Sequence, residues 1–285
     1  MARYKEIKDK IQNKYKELPK NQKKLADYFI DNFDSIPFLS VHQVSEAAGA
    51  SVASVVRFAQ RTGFSGYSEL RDAIGESLQN QLSSKMIFPL FDKQKLDEDL
   101  LTTVANQDIR NINDTLRRID RDNFKNAVNK IIKADRVFTA GLGISYLLAE
   151  ILAYQLSQVG IDASVFKHDY TIFHEQIMFL KKNDLIVAFS FPPYSKETIE
   201  ACEYAKDKGI SIISISNKAA APISYYSDIN LIIQSENMLY TNSFAAISVI
   251  INAIATECAM KNKARAEKIL QESNRLIEIQ KLTIM

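Results

Sequence analysis

The sequence predicts two architectures in one chain. The N-terminal part reads as all-helical, and the part behind it reads as α/β, a doubly wound sheet of five parallel strands. Three observations carry this. Residues 1–80 show helical periodicity, with two short helices and a tight turn between Phe38 and Leu70. From Arg136 onward, strand patterns alternate with helical ones. The runs at Leu185 and Ser211 are apolar on both sides, as central parallel strands are.

Along the chain, Ile7, Ile11 and Tyr15 recur at helical spacing until Pro19 breaks the helix. Leu25, Tyr28, Phe29 and Phe33 form a second amphipathic helix, ended by Asp34, Ser35 and Pro37. Ser40 caps a third helix, with Gln43 placed to reciprocate. Gly49 supplies a left-handed turn residue and Ser51 caps the next helix. Val44, Ala48, Ala50, Val55 and Phe58 fall on the inner side of this helix-turn-helix. Periodicity is lost around Pro89, so domains are expected over 1–80 and 101–285 with a linker over 81–100.

A helix over Thr102–Asp120 leads into the second domain. Strands are expected at Arg136–Ala140, Ala163–Lys167, Leu185–Ser190, Ser211–Ser216 and Ile229–Ile233. The helices between them are Ser145–Val159, Ile172–Lys181 and Lys196–Lys208. A charged amphipathic helix, Ala264–Lys281, suits packing on the domain or pairing with a second copy.

The chain has 285 residues, enough for about two domains. Its 46% hydrophobic and 25% charged residues are those of a soluble globular protein. Cys202 and Cys258 lie far apart, suit reduced structural thiols in a cytoplasmic protein, and show no zinc spacing; no metal or cofactor is expected. The N-terminus lacks the apolar core of a secretory signal. Met238–Thr256 is uncharged but interrupted by Asn242, Ser243 and Asn252, which favours a buried helix over a membrane span.

Net charge is only +2, which excludes a bulk polyelectrolyte binder. Residues 1–24 nevertheless hold nine Lys/Arg against three acids, an excess that suits phosphates or a solvated helix face. On the second short helix, Ser51, Val52, Ala53, Ser54 and Arg57 are expected on the outer face, where a recognition helix meets base edges. Arg57 is the candidate for bidentate guanine contact, Ser51 and Ser54 for phosphate, and Arg61 for the backbone. Helical hairpins with a glycine turn also occur in folds that never meet DNA.

In the second domain, the first strand runs into Gly141-Leu142-Gly143-Ile144-Ser145, glycines that let the backbone approach an anion at a helix start. A third glycine would be due at Tyr146 and is absent, so this is no dinucleotide fingerprint. The third strand ends at Ser190 and continues Phe191-Pro192-Pro193-Tyr194-Ser195-Lys196-Glu197-Thr198. Both loops belong at the C-terminal edge of one sheet, where open α/β folds bind ligands. Ser195 is equally suited to being a helix cap, and Glu197 to being a helix-start acid. His168 and His174 follow the second strand, and Tyr170, Tyr194 and Tyr240 are possible pocket walls.

Two resemblances sharpen the reading. The run Ser54-Val55-Val56-Arg57-Phe58, then Thr62-Gly63-Phe64 and Gly66-Tyr67, resembles the N-terminal domain of RpiR-type transcriptional regulators. The loops at Gly141 and Ser190 resemble a sugar isomerase (SIS) domain, over about Ile132 to Met260. That likeness implies a phosphosugar ligand, usually oligomerisation, and ligand contacts from Gly141, Gly143, Ser145, Ser190, Tyr194, Ser195, Glu197 and Thr198. Together the two imply a regulator on a pseudo-palindromic DNA operator, a homodimer or larger homo-oligomer, controlled by a sugar phosphate and not membrane-bound.

The chain departs from the family pattern where Pro192 and Pro193 replace a serine and a glycine, and where Ala221 stands for a common serine. The prolines remove a hydroxyl and two N–H donors, which keeps open a pocket for an unphosphorylated ligand. An aldose–ketose isomerase is the rival of another class. It would need a base, and Glu236, His168 and His174 are ungrouped in sequence.

Overall fold

The computed structural model describes residues 2–33, 35–82, 99–169, 171–237 and 241–280. The chain divides into two compact units, Met1–Asp97 and Glu98–Met285. Most of the expected linker, together with Asp34, Tyr170 and Tyr240, lies outside the described residues.

The first unit is helical: α1 (Ala2–Lys14), α2 (Lys20–Asp31), α3 (Val41–Ala47), α4 (Val52–Arg61) and α5 (Tyr67–Leu82). Pro19 occupies the N-cap of α2, where its missing N–H costs nothing. The apolar stripes converge on Ile11, Leu25, Phe29, Val55, Phe58, Leu70 and Ile74, all fully buried. Each such side chain stabilises the unit by roughly 1.5–3 kcal/mol. Phe29 and Phe58 pack with ring centroids 4.9 Å apart. The Tyr67 hydroxyl donates to the Leu39 carbonyl at 2.6 Å, locking α5 to the turn before α3.

The second unit holds α6 (Leu100–Arg118), α7 (Arg121–Lys133), β1 (Val137–Ala140), α8 (Ile144–Gln158), β2 (Ala163–Val165), α9 (Phe173–Met178), β3 (Leu185–Ser190), α10 (Lys196–Asp207), β4 (Ser211–Ser216), β5 (Ile229–Ile232), α11 (Ala245–Lys261) and α12 (Lys263–Gln280). The five strands are parallel in the order β2-β1-β3-β4-β5. β3 and β4 match the expected strands residue for residue. The chain leaves β1 towards β2 on one side and returns to β3 on the other. The strand order therefore reverses between the loops after Ala140 and Ser190, the place where such sheets open a crevice.

The helix expected over Thr102–Asp120 ends at Arg118, and α7 is an element that the sequence pattern did not single out. Asp120 instead accepts from the N–H groups of Asp122 and Asn123, both at 2.9 Å, and caps a new helix. The uncharged run ends inside α11, whose Ile247, Ile250, Ile251 and Ile254 are buried in the sheet's core. Among the described residues no helix is long and apolar enough to cross a membrane. At the opposite end of the sheet, Asp184 is buried against Arg136 at 2.5 Å. Burial pushes its carboxyl up, but Arg136 and the Lys181 N–H outweigh that and hold it below the usual carboxylate range. Cys202 and Cys258 are free thiols, and burial pushes both up to about 12, far from reactive.

Candidate functional site

In the first unit, the cap chemistry builds the helix-turn-helix. Ser40 accepts from the Gln43 N–H at 3.3 Å while Gln43 Oε1 accepts from the Ser40 N–H at 2.7 Å, a closed capping box. Gly49 sits at φ +60°, the left-handed corner between α3 and α4. Ser51 Oγ accepts from the Ser54 N–H at 3.3 Å and starts α4. Val44, Val55 and Phe58 seal the underside.

The outer face of α4 carries exposed Ser51, Ala53, Arg57, Gln60 and Arg61, with Val52 half-buried beside them. Arg57 and Arg61 stand one turn apart, so both guanidinium groups leave on the same side. Ser54 is a correction: it is buried, and its Oγ lies 2.9 Å from Ser51 Oγ, so it belongs to the cap and not to the exposed face. Gln60, between the two arginines, was missed; its exposure follows from the same periodicity. Part of the N-terminal positive charge is engaged within the unit. Lys8 lies over Phe33, Lys10 over Phe64 and Lys23 over Tyr15, while Lys14 pairs with Glu17 at 3.0 Å.

In the second unit, the candidate residues gather at the C-terminal edge of β1 and β3. A Cβ at Gly141 would lie 2.6 Å from the Ser145 carbonyl oxygen, so only glycine lets the chain fold back this closely. Gly143, at φ +63°, is the N-cap of α8, and no side chain caps that helix. Ser145 is buried in its first turn. Ser190, at the end of β3, is 3% exposed, and Thr198, in the first turn of α10, is fully buried. Neither hydroxyl has a hydrogen-bond partner among the described residues. A buried polar group left unpaired costs about 1–3 kcal/mol. Here two of them lie on one strand–helix junction.

The other candidates are occupied within the protein. Ser195 caps α10, accepting from the Thr198 N–H at 3.2 Å. Glu197 takes His168 Nε2 at 2.8 Å on one oxygen and the Phe173 N–H at 3.2 Å on the other. It thereby fastens the stretch after β2 to the start of α10. Tyr194 is buried and its hydroxyl donates to Asn217 Oδ1 at 2.7 Å. Asn217 was missed, although it is the first residue after β4 at this same edge, a position the strand-end rule flags. The Pro192 carbonyl accepts from Asn242 Nδ2. Ala221 is buried without a hydroxyl to offer. Of the remaining candidates, His174 packs against Tyr204 and Glu236 faces Gln107 of α6, so neither joins His168. Among the described residues no His, Cys, Asp or Glu cluster could hold a metal.

Comparison with known proteins places this geometry. Residues 5–81 match the model of the helix-turn-helix domain of the rpiR family, and residues 130–257 match that of the SIS domain. The chain belongs to the rpiR family of helix-turn-helix regulators. An uncharacterised HTH-type transcriptional regulator of Haemophilus influenzae is 28% identical over 240 residues, covering 81% of each chain. The sugar isomerase domain of an RpiR transcription factor from Sphaerobacter thermophilus superimposes with a TM-score of 0.60 at 25% identity, covering 62% of this chain and 99% of that one. NanR of Vibrio vulnificus, solved in complex with ManNAc-6P, shares the fold over 96% of this chain and 98% of its own. The TM-score is 0.67 at 21% identity. The glycine loop after β1 and the Ser190–Thr198 junction, with its two prolines, both fall inside the matched SIS range.

Proposed function

We propose that this rpiR-family regulator reads a pseudo-palindromic operator through α4 and answers to a sugar phosphate at the β1–β3 edge. Arg57 contacts base edges; Ser51 and Arg61, with Val52 and Ala53 close to the groove, settle the helix on the backbone. The single observation that carries the effector site is the pair of buried, unpartnered hydroxyls on Ser190 and Thr198. The N-terminus of α8, open past Gly143, supplies N–H donors to the same anion. Ser195 and Glu197 act through the helix start they build, and Tyr194 through its bond to Asn217.

Two exposed apolar stripes support a homodimer: Leu147, Ile151 and Tyr154 on α8, and Ile269, Leu270, Leu276 and Ile279 on α12. Paired subunits present two reading helices to two half-sites. Isomerase chemistry has less support, because His168, His174 and Glu236 are held apart by separate partners. The Pro192–Pro193 pair favours a second reading, an unphosphorylated ligand, since it offers no N–H to a phosphate.

Anisotropy of labelled DNA from the gene's own upstream region, titrated with sugar phosphates and their unphosphorylated parents, separates these readings. A shift in DNA affinity with a phosphorylated sugar alone is expected. A response to the parent sugar alone would transfer the site to the second reading.

A further inference from the structure

We propose that Asn242 is a positioning residue that ties the effector loop to α6, the helix by which the chain enters the second unit. The inference rests on the effector reading above for its purpose, but not for its geometry. Pro192 and Pro193 have no N–H, so their loop can be held from outside only through its carbonyls. Asn242 Nδ2 donates to the Pro192 carbonyl, and Asn242 Oδ1 accepts from Ser235 Oγ at 3.1 Å. The Ser243 N–H donates to the Ser235 carbonyl at 3.0 Å, drawing the two ends of the stretch after β5 together.

That stretch is fastened to α6 along one face. Ser243 Oγ donates to Asp108 Oδ1 at 2.6 Å, Asn111 Nδ2 donates to the Glu236 carbonyl at 2.7 Å, and the Gln234 N–H donates to Thr115 Oγ1 at 2.9 Å. Asp108, Asn111 and Thr115 recur at helical spacing, so one stripe of α6 does all of this. Ile112 packs partly buried against the core, but the two buried residues of α6 are Asn111 and Thr115, both polar, while Leu101, Ile109 and Leu116 are exposed. A helix retained only for packing would bury its apolar side. A stripe of directional hydrogen bonds instead fixes α6 to one register against the loop, so a loop displaced by a ligand moves its anchor on the helix.

The test is hydrogen–deuterium exchange on the full chain. Pro193→Gly loosens the effector loop without touching α6. In the wild-type background it should speed exchange in peptides covering Asp108–Thr115 about fivefold, the effect of losing one hydrogen bond of about 1 kcal/mol. In an Asn242→Ala background the same substitution should add nothing. Ser243→Ala, which cuts the relay at its α6 end, repeats the experiment should Asn242→Ala fail to fold. An undiminished α6 response in both backgrounds overturns the proposal. Millimolar inorganic phosphate, as the anion probe, forms a separate arm. It should protect residues 190–198 with or without Asn242 but alter α6 exchange only with it. Phosphate protection that reaches α6 equally without Asn242 also overturns the relay. No protection of 190–198 sinks the anion-site reading, and the loop-substitution arm still decides the relay.

Discussion

The outer face of α4 and the junction of β3 with α10 both present polar side chains, arranged in opposite ways. Arg57, Gln60 and Arg61 stand in water on a helix whose underside is sealed by Val55 and Phe58. Ser190 and Thr198 are buried, and their hydroxyls have no partner among the described residues. The difference follows from the partners. DNA brings a dense row of charge and a groove of its own, so on the proposed reading exposed donors on a rigid helix suffice. A small ligand has to be enclosed and its water replaced, so on the proposed reading the groups that would greet it are buried beforehand, at a cost in stability.

The largest expected effect tests whether the two regions are independent. Phe58→Ala removes a fully buried ring that packs on Phe29. It should cost the first unit about 3–5 kcal/mol, enough to melt a unit of ordinary stability. Calorimetry should show the first unit's transition lost, DNA binding abolished and the second unit's transition in place. A shift of both transitions together would mean that the units fold as one.

Next comes the exposed side of the comparison. Arg57→Ala should weaken operator binding by about 1–3 kcal/mol and relax base preference at one position per half-site, with thermal stability unchanged. A uniform loss over all sequences, with a salt dependence shallower by about one ion, would reassign Arg57 to phosphate.

The buried side gives the reverse pattern. Ser190→Ala deletes a buried hydroxyl with no partner among the described residues, so the second unit should gain about 1 kcal/mol in urea unfolding while the effector response is lost. A loss of stability together with an intact response would show that the hydroxyl has an internal role and that the pocket lies elsewhere.

These contrasts also explain what was legible in the sequence. The helix-turn-helix rests on local chemistry: Ser40 with Gln43, Gly49 at its corner, Ser51 at the start of α4. Every partner lies within a few residues, so spacing alone reveals it. The strands were equally plain, because β3 is buried along its whole length and β4 from Ile212 onward. Ser54 was misplaced by a local ambiguity, since its hydroxyl turns back to Ser51 rather than outward. At the sheet edge the roles depend on partners brought from far along the chain. Glu197 meets His168 across 29 positions, Tyr194 meets Asn217 across 23 and Pro192 meets Asn242 across 50. No periodicity encodes those meetings. The strand-end rule could locate the site, but not say which of its residues were already spoken for.

Ser51 and Ser195 allow the sharpest use of the comparison, because they are the same device at the two sites. Each accepts from the N–H three residues on, at 3.3 and 3.2 Å, and each starts the helix its site depends on. Replacing either by alanine should cost about 1 kcal/mol, and asparagine, an equally good cap, should restore it. At Ser195, asparagine should restore the effector response along with stability, since the hydroxyl is spent on the cap and what serves the ligand is the ordered helix start. At Ser51, asparagine should restore stability but not full operator affinity, because that residue is exposed and on the proposed reading its shape meets the DNA. Denaturation and binding curves for the four variants decide the matter. Matching recovery at both positions would make the two caps purely structural, whereas failure of asparagine to recover the response at Ser195 would place that hydroxyl on the ligand itself.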